Sequence, residues 1–119
     1  MAYDLVDVND LPGEGPQHAV RFVRRRLNVT AFGINWYELG PGQTGREHDE
    51  SESGQEEVYV VVRGSGTMRI DGDVVPLRTG TFVRVDPTST RVPTAGDAGL
   101  TFVAVGSPPG RDYEPRGPF

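Results

Sequence analysis

The residues of this chain best equipped for chemistry lie close together, with His48, Glu50, Glu57 and Tyr59 all falling between positions 48 and 59. An imidazole beside two carboxylates can hold a divalent cation or move a proton. The only other histidine is His18, to which the pattern assigns no role, so a site of three imidazoles is beyond this chain. Cysteine is absent, which removes thiolate ligands, thiol nucleophiles and disulfides together. All twelve basic residues are arginine. Schiff-base chemistry, attachment of pyridoxal phosphate and phosphate binding through a P-loop lysine are therefore excluded by inventory.

Glu57 leads directly into the apolar run Val58 to Arg63, which has the composition of a strand. Alternate side chains of a strand point the same way, so Glu57 shares a face with Tyr59 and Val61. A carboxylate turned toward an apolar interior must either pair or become neutral. Glu57 is thus either one half of a structural ion pair or a polar anchor at the bottom of a ligand pocket, where it would serve as acid or base. His48, at the edge of an acidic loop, is the candidate proton shuttle beside it.

The elements that must position these groups are short and β-rich. Glycine and proline account for 16 and 10 residues and are spread as punctuation along the whole chain. The pattern predicts strands over Arg21 to Val29 and Phe32 to Leu39, with Phe32, Ile34 and Trp36 on one face. Further strands are expected at Val58 to Arg63, Phe82 to Val85 and Leu100 to Val105. Asp71-Gly72 marks a two-residue hairpin turn inside Met68 to Val75. Between Glu47 and Glu57 six of eleven residues are acidic, so the middle of that segment is expected to be an exposed loop. No window combines helical spacing with capping signals, and no helix is expected. Trp36 and Tyr59 are expected in the core.

At 119 residues the chain should form one domain. Residues 1–17 read as an N-terminal arm, 18–106 as a β-barrel and 107–119 as an irregular tail. An all-β chain with some eight short strands must close into a barrel or stack two sheets to cover its edges, and a jelly roll does both. The net charge of −5 argues against a nucleic-acid partner. Arg24-Arg25-Arg26 is the one basic cluster and reads as a solvated strand face. The N-terminus lacks the basic head and apolar stretch of a signal peptide, and no apolar segment is long enough to span a membrane. A cytoplasmic location without a membrane partner is the expectation.

Two spacings carry a resemblance. Five residues separate Gly42 from His48, and six separate Glu57 from Gly64, within the string Gln55-Glu56-Glu57-Val58-Tyr59-Val60-Val61-Val62-Arg63-Gly64-Ser65-Gly66. From about Phe32 to Val105 the chain resembles the cupin superfamily, in particular its small single-domain conserved-barrel members. The first motif of that family has two histidines one residue apart before its glutamate. Here Glu50 falls on the second of them, and the interval from Glu50 to Glu57 is longer than the family pattern. Gly80, separated from Gly64 by fifteen residues, opens the second motif, in which Asp86 stands at the proline position, Thr88 at the glycine, Arg91 at the histidine and Ala95 at the asparagine.

The resemblance implies an all-β cupin jelly roll, or double-stranded β-helix barrel, and a metal held by three imidazoles and one carboxylate. This chain departs from that set. If a divalent transition metal binds at all, its ligands are His48, Glu50 and Glu57, with a repelling guanidinium at Arg91. The expectation is therefore a metal-free barrel, without cofactor, that binds a small anionic organic molecule through Arg91, Glu57, Tyr59 and His48. Arg84 joins that list if it points into the barrel beside Arg91, and leaves it if it lies on the outer face of an edge strand. Two rivals are implied. One is a small cupin enzyme, an isomerase, epimerase, lyase or metal-dependent dioxygenase, with His48 or Glu57 as catalytic base. The other is a non-catalytic oligomerisation or interaction module. The family habit of pairing through a sheet face or an exchanged N-terminal strand implies a homodimer.

Overall fold

The computed structural model describes residues 2–110 and 112–117. Among them are two single 3₁₀ turns in the N-terminal arm (Val8–Asp10 and Pro16–His18), six antiparallel strands and one short α-helix: β1 (Val20–Arg21), α1 (Val23–Leu27), β2 (Gly33–Leu39), β3 (Glu56–Ile70), β4 (Asp73–Arg78), β5 (Phe82–Val85) and β6 (Arg91–Ser107). The strand order is β1-β2-β6-β3-β4, and β5 shares the edge of β3 with β4. β4 pairs along Ser65 to Ile70, whereas β5 pairs along Glu57 to Val60. One end of β3 therefore belongs to each half of the molecule.

The two long strands fold the sheet over on itself. β3 and β6 pair from Glu56↔Ser107 to Ile70↔Arg91, with register shifts between Val61 and Arg63 and between Gly64 and Gly66. Such irregularities bend a strand and raise its twist, which a closed sheet of this size requires. The bend demands glycine. Gly64 has φ +84°, and a Cβ on Gly66 would land on the backbone carbonyl of Thr94. The halves enclose Leu39, Tyr59, Val61, Met68, Leu77, Val85, Leu100 and Phe102. Tyr37 stacks on Phe102 at 5.0 Å, and Tyr59 meets the same ring edge-on at 5.7 Å.

Several expectations change. Arg21 to Val29 is a strand only over Val20–Arg21 and then becomes the helix α1. Asn28 ends that helix in the left-handed region, φ 58°, with its N–H and that of Val29 returned to carbonyls of the last turn. The arginines favour helix, and their charge suits its C-terminal end. The runs Val58 to Arg63 and Met68 onward are one strand bent at Gly64, and the Pro- and Thr-rich stretch before Leu100 is strand as well. The eight short strands expected are therefore six, two of them long.

Ile34 and Trp36 share a face, but it is the outer one, and Phe32 falls in a bend before the strand, which starts at Gly33. Tyr37 and Leu39 point inward instead, and Trp36 is half-buried outside with its indole N–H unpaired. The hairpin forms where expected, between Ile70 and Asp73, with Asp71 at φ 53°. The described part of the tail is irregular beyond Ser107, and no described helix is long and apolar enough to cross a membrane.

Candidate functional site

Two backbone hydrogen bonds assemble the site. The loop before β3 meets the start of β6 at an isolated bridge, where His48 N–H donates to the Arg91 carbonyl (3.1 Å) and Arg91 N–H returns to His48 (2.9 Å), and a second bridge joins Thr44 to Thr94. Residues so paired project their side chains to the same side. The imidazole and the guanidinium are thereby held next to each other, and Glu57 and Tyr59 reach them from β3 by the period of two.

Arg91 is fully buried. Its Nη2 donates to Glu57 Oε1 (2.7 Å), its Nε to the Tyr59 hydroxyl (3.2 Å), and its Nη1 to the carbonyls of Asp86 (3.1 Å) and Ser89 (2.8 Å). Tyr59 passes the contact on by donating to the same Glu57 oxygen at 2.6 Å. A buried guanidinium is tolerated because its donors are met and its charge is paired. Burial pushes the Glu57 carboxyl up, but hydrogen bonds from His48, Tyr59 and Arg91 outweigh it and hold the group at about 2. Tyr59 moves the other way, since burial and the Glu57 charge both raise its hydroxyl. The Arg91 side chain is raised despite its burial, through Tyr59 and Glu57.

His48 stands in front of this triangle, its Nε2 3.0 Å from Glu50 Oε2 and 3.6 Å from Glu57 Oε1. One donor atom each from His48, Glu50 and Glu57 lies within 4.8 Å of the others, close enough to surround a cation. The set differs from the three imidazoles and one carboxylate that the family motif implies, and a guanidinium lies beside it. Glu57 Oε1 already accepts from Tyr59 and Arg91, and a metal on that oxygen would sit within about 5 Å of a guanidinium, where like charges repel. One imidazole with two carboxylates also lacks the nitrogen donors that retain late first-row metals.

In front of the triad opens a cavity of about 580 Å³. Its walls are mainly apolar, from Phe22, Tyr37, Leu39, Phe102 and Ala104, and its polar floor is His48, Glu50, Glu57 and Tyr59. Arg91 is not among the lining residues, because the side chains it bonds stand between it and the space. Arg84 does not reach the cavity either. It pairs with Val58 across β5 and β3, on the outer face, and its guanidinium holds Glu56 and Asp86 in solvent. Of the residues picked out in the sequence, the structure brings together His48, Glu50, Glu57, Tyr59 and Arg91, and leaves Arg84 apart.

The cationic group that does line the cavity is Arg46, which is exposed and makes no side-chain ion pair among the described residues. Tyr37 was not singled out either. It lines the cavity, and burial and the Glu57 charge raise its hydroxyl while Arg46 lowers it. Two residues before His48, Arg46 carried no signal beyond its type, because the direction of a loop side chain has no periodicity. Tyr37 was obscured by the attention its neighbour Trp36 attracts.

The cupin domain family model matches residues 35–106, more than half of the chain. The protein belongs to the cupin family. No curated protein matches it in sequence. Among solved structures, it is similar to a cupin protein from Bacteroides fragilis at a TM-score of 0.81 and 20% identity, covering 98% of this chain and 92% of that one. A predicted oxalate decarboxylase of Thermotoga maritima aligns at 0.73 and 20% identity, over 88% of this chain and 99% of that one. A Cupin 2 conserved barrel domain protein from Salinispora arenicola aligns at 0.69 and 20% identity, over 90% and 88%. At these identities the likeness is one of fold.

Proposed function

We propose that this cupin works without a metal and binds a small anionic organic molecule in the cavity above Glu57. The observation that carries the reading is Arg91, a buried guanidinium at the position of the second-motif histidine, hydrogen-bonded to the carboxylate that would otherwise need a cation. It supplies the positive charge from within the protein. The anion is read at the rim by Arg46, since the donors of Arg91 are committed to the wall. His48 and Glu50 are left to meet the guest at the floor, and turnover, where the guest permits it, would use them.

The test is metal analysis of the purified protein alongside Arg91→His. The wild type should carry no stoichiometric transition metal after dialysis, and its melting temperature should not respond to Mn²⁺, Fe²⁺, Ni²⁺ or Zn²⁺. Arg91→His, which adds an imidazole and removes the repelling charge, should gain a divalent-ion response. A full-occupancy metal in the wild type, lost in His48→Ala, would overturn the reading.

The outer face supports a second part of the proposal, that two copies pair as a homodimer. Phe82 is 69% exposed at the end of the cross-strand row Phe82, Val60, Val103 and Trp36, and a parallel row runs from Val58 through Val105 to Ile34. A contiguous apolar band of this kind is unusual on a lone domain.

A further inference from the structure

The distribution of polarity inside the cavity narrows the guest, on the premise that the metal-free pocket just proposed is the binding site. Its hydrogen-bonding groups are His48, Glu50, Glu57 and Tyr59 together with Arg46, Thr44, Gln17 and the Glu14 carboxylate, and the larger share of its wall is apolar. At the floor, Glu57 Oε1 is occupied by Tyr59 and Arg91, whereas no donor among the described residues reaches its Oε2. That leaves an ionised oxygen able only to accept. Glu50 is engaged by His48 through one oxygen and by the Ser53 hydroxyl through the other, so it offers less. At the rim, Arg46 offers donors and a positive charge.

The apolar wall holds rings with one side already taken. Tyr37 lies flat on Phe102 with 11° between planes, and the guanidinium of Arg25 covers Phe22 at 4.2 Å from its centroid. These three rings line the cavity together with Leu39, Val20 and Ala104. A sugar acid or a phosphate ester would leave most of its polar groups facing these carbons without partners, which costs more than the end contacts return. A flat ring loses nothing there and gains contact with aromatic neighbours.

We propose that the site takes an aromatic hydroxy acid: a planar apolar body between Phe22 and Tyr37, a carboxylate at Arg46, and a hydroxyl donating to Glu57 Oε2. The volume of about 580 Å³ lies inside the usual range of small-ligand sites, roughly 300–1,000 Å³, and admits a substituted ring.

The experiment is isothermal titration with 4-hydroxycinnamate and three comparison compounds that each drop one feature. These are cinnamate without the hydroxyl, 4-hydroxycinnamyl alcohol without the carboxylate, and galacturonate without the apolar body. 4-Hydroxycinnamate should bind saturably and about tenfold or more tighter than each comparison compound. Arg46→Gln should lose about tenfold toward the acid and leave the alcohol unchanged, while Arg84→Gln changes neither. Arg46 is exposed, so both variants should melt with the wild type. Galacturonate or inorganic phosphate binding as tightly as 4-hydroxycinnamate, or equal binding of acid and alcohol, would overturn the ligand class while leaving a binding pocket. Absence of heat with all four compounds, repeated with a keto-acid and sugar-phosphate set, would remove class and pocket together.

Discussion

Glu57 keeps its charge in a place where burial alone would remove it, and that charge is the residue-scale fact on which the site turns. A carboxyl held at about 2 when folded, against an ordinary 4.5, stabilises the native state only while it is ionised. The contribution is fully present above about pH 4.5 and is lost as pH falls through about 2, with a size of about 3 kcal/mol. Glu57→Gln removes it at every pH and leaves Arg91 buried without its partner, so the variant should be less stable than wild type by roughly 3–5 kcal/mol at pH 7. Urea unfolding of both proteins between pH 6 and pH 2.5 checks the sign: the gap between them should shrink as acid is added. A constant gap would mean that the ion pair does not hold in solution. The inward direction of Glu57 was readable from the strand period, and the opposing arginine from the register of the second motif. What the letters did not reveal was that Arg91 would be saturated by Asp86 and Ser89 carbonyls, since those acceptors are placed by a turn.

At the scale of elements, one glycine at the bend of β3 and one in the hairpin turn separate a packing requirement from a merely permissive residue. A methyl group on Gly66 meets the Thr94 carbonyl, which is backbone held in the ladder with β6 and unable to yield. Gly66→Ala should therefore cost about 2 kcal/mol or more. Gly72, in the hairpin turn, has open space around the same position and no positive φ, so Gly72→Ala should change stability by less than about 0.5 kcal/mol. Thermal or chemical unfolding of the two variants side by side decides it, and equal losses would show that the bend is not where the strain falls. Most elements were legible because β-branched runs and Asp-Gly punctuation report local geometry directly. The continuity of β3 through Gly64 was not, since a glycine that ends a strand and one that bends it look alike until the partner strand is known. Likewise, α1 is a single turn fixed by the Asn28 cap and by packing on β2, and a five-residue helix gives periodicity too little length to register.

For the whole molecule, the distribution of apolar side chains over the two faces of the sheet matters more than any single contact. One face closes the core and the cavity. On the other, the rows through Val60 and Val58 form a band bordered by Arg63 with Glu38 on one side and Arg84 with Glu56 on the other. Each border carries both signs, so a copy related by a two-fold axis can set arginine opposite glutamate along either edge while the bands meet in the middle. Burying Phe82 and its neighbours against a second copy would give the dry apolar centre and charged rim that lasting interfaces share. The protein should elute in light-scattering chromatography at twice its 12.9 kDa chain mass. Phe82→Asp, which puts a charge on the most exposed side chain of the band's Val60 row and touches nothing in the cavity, should elute at the single-chain mass with its fold intact by circular dichroism. A wild type that remains single at micromolar concentration, or a Phe82→Asp variant that still pairs, would place the contact elsewhere or remove it.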